Sequence, residues 1–304
     1  MTTGPALFAN LERVLLGKRE ALRIVSAAAL GGGHVLIEDE PGVGKTVLAK
    51  AVARSFAVES ARVQGSVDLL PSDVTGVSVF DPSTTSWSFR PGPVFHHVLV
   101  IDEINRATPR SQAALLEAMA ERQATVDGVT YPLPVPFFVI ATQNPEGDVG
   151  TFALPAGQRD RFAVSVSLGL PDAATERRIL RGEGGEASLR ELTPIASADE
   201  WRLAQGALES IHVSDPVLDY ALAVVAATRV HPDLAEGASP RAGQVLIRMA
   251  RALAAIEGRS YALPDDVQRA APYVLAHRLR WRAFERTRLA HSLAEEVVRT
   301  VPVP

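Results

Sequence analysis

The chain has 304 residues, too many for one small core, so two domains are expected. Charged residues make up 22% and hydrophobic ones 47%, an ordinary globular balance, and a net charge of −4 argues against a general nucleic-acid or membrane-surface binder. The absence of cysteine excludes disulfides, thiolate metal sites and cysteine nucleophiles, and is compatible with a cytoplasmic location.

No signal peptide is expected, because Met1 to Pro5 lack a basic stretch followed by an apolar core. Ala6–Leu16 and Lys18–Leu30 read as helices, the second closed by Gly31-Gly32-Gly33. The apolar region from Ala21 to Ile37 is broken by Arg23, the three glycines and His34, so it does not read as a membrane span. His34–Ile37 then reads as a buried strand that runs into Pro41-Gly42-Val43-Gly44-Lys45-Thr46 and a helix from Val47 to Phe56.

That order is the local design of a phosphate-binding loop. The glycines let backbone N–H groups curl around phosphate oxygens, Lys45 reaches the β- and γ-phosphates, and the Thr46 hydroxyl can hold Mg²⁺. The helix points its positive end at the anion. Pro41, Gly42, Val43, Gly44, Lys45, Thr46 and Val47 are therefore the candidate nucleotide-binding residues. A glycine usual at the head of the loop is replaced by Asp39, followed by Glu40. Two carboxylates there are electrostatically awkward unless they point outward.

Further strands are expected at Ala61–Gln64, Val98–Ile101, Phe137–Thr142 and Ala163–Leu168. Two of them, Val98-Leu99-Val100-Ile101 and Phe137-Phe138-Val139-Ile140, are apolar on both faces, as central parallel strands covered by helices must be. Residues 80–94 read as a hairpin or loop inserted into a helix. Thr108-Pro109 opens a helix over Ser111–Arg122, and Asp127-Gly128 marks a second hairpin. Past Pro171 the strand signals largely vanish, and helices are expected at Glu200–Ser210, Pro216–Thr228, Arg241–Glu257, Pro264–His277 and Ala283–Arg299. The expected division is an α/β core over 1–170, a linker over 171–195 containing Gly182-Glu183-Gly184-Gly185, and a helical lid over 196–304.

The strand Val98–Ile101 ends in Asp102-Glu103, and buried strands rarely end on two acids without a cation nearby. Beside a phosphate loop, Asp102 would anchor Mg²⁺ and Glu103 would orient or deprotonate the attacking water, which argues for hydrolysis. Asn144 in Gln143-Asn144-Pro145 could hydrogen-bond the γ-phosphate, though the tripeptide alone reads as a turn. Arg161 could act on a neighbouring subunit's nucleotide; alone, Asp160-Arg161 reads as a surface ion pair. Ser239-Pro240-Arg241 starts a helix with Ser as N-cap, and a cation in its first turn opposes the helix dipole, which hints that Arg241 faces a phosphate. His96-His97 point to opposite strand faces and cannot chelate one ion together. Arg278, Arg280, Arg282, Arg286 and Arg288 read as a solvated helix face or a subunit contact before a surface for nucleic acid or an acidic partner, and Trp87 and Phe89 as client-gripping or hairpin-packing residues.

Glu38 to Thr46, Asp102-Glu103-Ile104-Asn105-Arg106-Ala107, Ala141-Thr142-Gln143-Asn144-Pro145 and Gly237-Ala238-Ser239-Pro240-Arg241-Ala242 together resemble the MoxR family of AAA+ ATPases. Asp68 to Asp73, Arg90 to Phe95 and Glu121 to Gly128 add to the match. The resemblance implies an AAA+ P-loop core, with a parallel sheet between helices, a helix-2 insert near 80–90, a pre-sensor hairpin near 124–135 and a small all-α lid. It implies Asn144 as sensor 1, Arg161 as arginine finger, Arg241 as sensor 2, and an adenine pocket lined by the Leu16-Gly17 region. It further implies ATP and Mg²⁺ as ligands, a hexamer, and a partner with a von Willebrand factor A domain that presents clients. The chain departs from the family at Gly65-Ser66-Val67, His96-His97 and Glu146 to Gly150, none of which removes a catalytic group. Two other uses of the nucleotide stay open: a regulatory scaffold in which slow hydrolysis times partner release, and a helicase-like DNA motor, which the acidic balance disfavours.

Overall fold

The computed structural model describes residues 2–39, 43–143, 150–282 and 290–304. Helices α1 (Thr3–Val14) and α2 (Arg19–Leu30) precede β1 (Val35–Glu38), α3 (Lys45–Ser55), β2 (Ser60–Gln64) and a one-turn α4 (Pro71–Thr75). A hairpin of β3 (Gly76–Asp81) and β4 (Ser86–Pro91) follows, and a 3-10 turn at Pro93–Phe95 leads into β5 (Val98–Asp102). Next come α5 (Pro109–Glu121), a second hairpin of β6 (Gln123–Val126) and β7 (Val129–Pro132), β8 (Phe138–Gln143), α6 (Ala156–Arg159) and β9 (Val164–Val166). In that second hairpin Asp127 and Gly128 both have positive φ, 51° and 80°, as its two-residue turn requires.

The five core strands are parallel, in the order β2-β5-β8-β1-β9. Every residue of β5 and β8 is buried, which explains their unbroken apolar runs. Strand alternation sends Val35 and Ile37 into a core shared with α2, α3 and the C-terminal helices, and Leu36 into a second core with Leu99, Val139 and Leu115 on the opposite face. Because all five strands run the same way, Glu38, Asp102 and Gln143 end at one edge of the sheet, where α/β folds place their ligands.

The segment expected to be a linker contains α7 (Ala173–Leu180) and α8 (Gly185–Glu191). Its glycines are turn-formers: Gly182 and Gly184 have positive φ between the two helices, as does Gly185 at the start of α8. Helix α8 lies on α1 and α3, with Lys50 2.9 Å from Glu186 and Arg54 donating to the carbonyls of Arg190 and Leu192. The C-terminal helices are α9 (Ala198–Ala207), α10 (Asp215–Val230), α11 (Pro240–Ile256), α12 (Pro264–Leu275) and α13 (Ala290–Thr300). A small antiparallel pair, β10 (Leu234–Glu236) with β11 (Arg280–Trp281), is added to the helices. Trp201 of α9 is fully buried, stacks on Phe56 at 4.2 Å and donates its indole N–H to the Ala29 carbonyl at 3.1 Å. That contact fastens the helical region to α2 and α3.

Candidate nucleotide site

Gly44, at φ 98°, caps α3, and only a residue without a β-carbon takes that conformation cheaply. Lys45 opens the helix and donates to the Asp39 carbonyl at 2.6 Å. Partial burial pushes the Lys45 pKa down, while the carboxylates of Asp39, Asp102 and Glu103 hold it up. The lysine thus stands among three acids. Val43, Thr46 and Val47 are half-buried beside it. Pro41, Gly42 and Glu40 lie outside the described residues.

Asp39 is buried and directed elsewhere. Its carboxylate accepts from the Ser167 hydroxyl at 2.6 Å and from the backbone N–H groups of Leu168 at 2.5 Å and Gly169 at 3.3 Å. Lys18 donates to the Gly169 carbonyl at 2.7 Å from the turn after α1. Asp39 is therefore a clasp joining the exit of β1 to the exit of β9, its carboxylate hydrogen-bonded there while its charge still acts on Lys45. In the same turn Gly17 (φ 73°) is pressed against α7, since a side-chain carbon there would lie 2.9 Å from the Thr175 side chain.

Asp102 is buried at the tip of β5 and accepts from Arg62 Nε at 2.6 Å. Glu103 adopts a left-handed conformation (φ 53°, ψ 51°), which costs a non-glycine residue about 1 kcal/mol or more and clusters at functional sites. Its N–H donates to the Thr142 hydroxyl at 2.9 Å, and its carboxylate accepts from Gln64 and Arg106, each at 3.2 Å. Gly65 donates to the Asp102 carbonyl at 2.7 Å and lies so close that a β-carbon would collide with the Glu103 carbonyl. The family departure at Gly65 is thus a close-approach glycine seated on the paired acids. The donor set of a buried carboxylate and a hydroxyl, hard oxygens beside a lysine, fits Mg²⁺.

Arg62 and Gln64 were given no role in the sequence, and Arg106 and Thr142 stood there only as members of the family motifs. The usable signal was the parallel register of β2 with β5, which brings Arg62 and Gln64 beside Val100 and Asp102, and that register needs the strand order. On β8, Gln143 donates to the Glu38 carboxylate. Asn144 lies outside the described residues.

Arg161 and Arg241 stand at the opposite edge. Ala163 donates to the His34 carbonyl at 2.8 Å, so the turn carrying Arg161 meets the sheet where β1 begins, while Lys45 follows where β1 ends. Arg241 Nε is 4.0 Å from the Asp160 carboxylate, and both arginines line one cavity of about 210 Å³. Ser239 occupies the N-cap position of α11, but its hydroxyl makes no capping bond and is buried without a partner among the described residues. The expected solvated arginine face is not one surface. Arg278 is buried against Asp160, Arg280 pairs with Glu236 and Arg282 donates to the Leu234 carbonyl; Arg286 and Arg288 lie outside the described residues.

Trp87 is 70% exposed with Phe80 beside it across the hairpin, at 5.3 Å between rings. Phe89 instead stacks on Tyr131 at 4.1 Å and meets Phe95, so it ties the first hairpin to the second. His96 and His97 face separate carbonyls, of Pro93 and Pro136.

A phosphate loop, a strand ending in Asp-Glu and the β2-β5-β8-β1-β9 sheet define a P-loop ATPase with a helical lid. The profile of the ATPase family associated with various cellular activities (AAA) matches residues 34–164, and the AAA lid domain profile matches 226–300. The chain is 40% identical to the uncharacterised protein YeaC of Bacillus subtilis over 97% of its own length and 93% of that protein. It is 36% identical to the chaperone MoxR1 of Mycobacterium tuberculosis, over 95% and 78% of the two chains. A crystal structure of a protein from Cytophaga hutchinsonii assigned as an ATPase superposes with a TM-score of 0.87 at 30% identity, covering 98% of this chain and 94% of that one. The chain belongs to the MoxR family of AAA ATPases and is an ATP hydrolase.

Proposed function

We propose that the protein hydrolyses ATP with Mg²⁺ as a ring-shaped oligomer, a hexamer, and uses the cycle for chaperone-like remodelling or maturation of protein complexes. The observation that carries the shared-site reading is the position of the charged groups on the sheet. Lys45 and Glu103 lie at one edge, Arg161 and Arg241 at the other, and β1 alone spans roughly 13 Å between them. A guanidinium at the far edge serves a phosphate held by a neighbouring copy, not its own. Such a head-to-tail contact builds a ring when its rotation closes, as this reading takes it to do.

In this reading Lys45 binds the β- and γ-phosphates, and Thr46 and Asp102 would hold Mg²⁺, which supplies charge neutralisation on those phosphates when bound. Glu103 orients and deprotonates the attacking water, Asn144 hydrogen-bonds the γ-phosphate, and the Gly17 turn lines the adenine side. Arg161 is the finger, and Arg241 joins it in the same neighbouring site. Residues 1–170 act as the nucleotide-binding core and 196–304 as the lid. A partner with a von Willebrand factor A domain presents the client, and the exposed Trp87–Phe80 pair grips it. The name of the MoxR1 relative, a chaperone, supports the remodelling role.

Steady-state phosphate release by the wild type, Lys45→Ala and Glu103→Gln tests the reading. Loss of turnover by a factor of roughly 10² or more in both variants is expected. Unchanged turnover in both would refute it. A pull-down with ATP-locked Glu103→Gln protein should then retain the client complex.

A further inference from the structure

Arg161 and Arg241 are not alone at the far-edge cavity. Among the described residues five arginines line it, against a single carboxylate, Asp160. Arg278 is engaged with Asp160 and with main-chain carbonyls, which leaves four guanidinium groups facing one carboxylate that is already paired. Two of the four have no role so far. Arg122 is the C-cap of α5, held in a left-handed conformation at φ 53°. Arg248 lies seven residues after Arg241 on α11, two turns along the same face.

The two side chains arrive from different elements and meet over Gly32. A side-chain carbon built on that glycine would lie 3.6 Å from Arg248 Nη2 and 3.7 Å from Arg122 Nη2. Gln205 Nε2 is equally near, at 3.6 Å, but it already donates to the Ala29 carbonyl. Among the described residues neither Arg122 nor Arg248 has a carboxylate partner. Gathered like charges repel and focus a positive potential in the cleft, which an arriving anion relieves. A guanidinium fork also matches phosphate oxygens in a bidentate way that a lysine cannot.

We propose that Arg122 and Arg248 bind the polyphosphate of a nucleotide held in the neighbouring copy's loop, extending the row begun by Arg161 and Arg241. This rests on the shared-site reading above. A triphosphate distributes its charge along its length, so a row of guanidinium groups engages more of it than one finger does.

Two measurements on Arg122→Gln/Arg248→Gln test this, with circular dichroism establishing that the variant is folded. In a Lys45→Ala background, whose own loop has lost its lysine, titration calorimetry with inorganic tripolyphosphate should show salt-sensitive binding that the double substitution weakens at least about tenfold. In the otherwise native chain, kcat should fall about tenfold or more, with partial recovery in Arg122→Lys/Arg248→Lys and unchanged binding of a fluorescent ATP analogue to the protein's own loop. Unaltered tripolyphosphate binding and unaltered kcat, alongside an inactive Arg161→Ala, would overturn the proposal and leave the shared site standing. Full activity of Arg161→Ala and Arg241→Ala would instead overturn the shared site itself.

Discussion

The Asp160 carboxylate lies 2.6 Å from the guanidinium of Arg278, whose side chain is only 3% exposed. Burial pulls the Arg278 pKa below its usual value and Asp160 opposes the shift. The same guanidinium donates to the carbonyls of Asp160, Phe162, Ala163 and Val274, so it fastens the turn that carries Arg161 to the end of α12. Arg278→Met removes the nearest cation from Asp160, leaving it Arg241 at 4.0 Å, and takes a donor from each of four carbonyls. A loss on the order of 3–5 kcal/mol in urea unfolding is expected. Arg278→Lys keeps the charge but not the fork, and should stay folded with a lower kcat and an unchanged affinity for ATP. Equal kcat in the lysine variant would show that the clamp does not position Arg161.

Gly65→Ala should disturb hydrolysis although the residue bears no side chain. The added carbon meets the carbonyls of Glu103 and Asp102, so the main chain carrying both acids has to move. A shift of that kind costs about 1–3 kcal/mol and displaces the group that handles the water. Phosphate release should drop about tenfold or more while ATP binding persists. Wild-type turnover in a folded Gly65→Ala protein would contradict this placement of Glu103.

His34 gives the protein an acid-side instability. Burial lowers its pKa to about 4, with the Arg122 and Arg241 charges acting in the same direction. Val139 N–H donates to Nδ1 and Nε2 faces the Met119 carbonyl, so the neutral ring with its proton on Nε2 fits both contacts. The unfolded chain binds a proton near pH 6.5 and the folded chain does not, so this stability is whole above pH 6.5 and is lost as pH falls toward 4. The difference is about 3 kcal/mol. His277, likewise buried and shifted down, adds in the same direction. Urea unfolding between pH 7 and 4.5 should show the decline, and the His34 ring signals in NMR should not titrate above pH 5. A ring that titrates near 6.5 would refute it.

Local features of the site were readable without a structure. The strand, glycine loop and lysine helix are contiguous, and Asp102-Glu103 ends an apolar strand whose burial on both faces follows from its composition. What escaped the sequence depends on contacts between distant residues. Against the general loop pattern alone Asp39 looked like a flaw, and the family resemblance marked it as usual. Its structural role stayed hidden because its partners, Ser167 to Gly169, are 128–130 positions away. Arg278 looked like one member of a basic run, yet its partner Asp160 is 118 residues distant. The glycines near 182–185 suggested slack chain, whereas positive φ there makes a tight turn between two packed helices. The two- and three-residue strands of the lid pair are too short to leave a periodic signal.

The central claim is that one ATP site takes its loop and water-handling acid from one copy and its arginines from the next. Mixing two inactive proteins, Lys45→Ala and Arg161→Ala, tests it most directly. In mixed oligomers an Arg161→Ala copy supplies an intact loop and Glu103, and a Lys45→Ala neighbour supplies Arg161. Phosphate release well above the sum of the two separate proteins is predicted. No gain in mixtures shown by native mass spectrometry to contain both chains would contradict it.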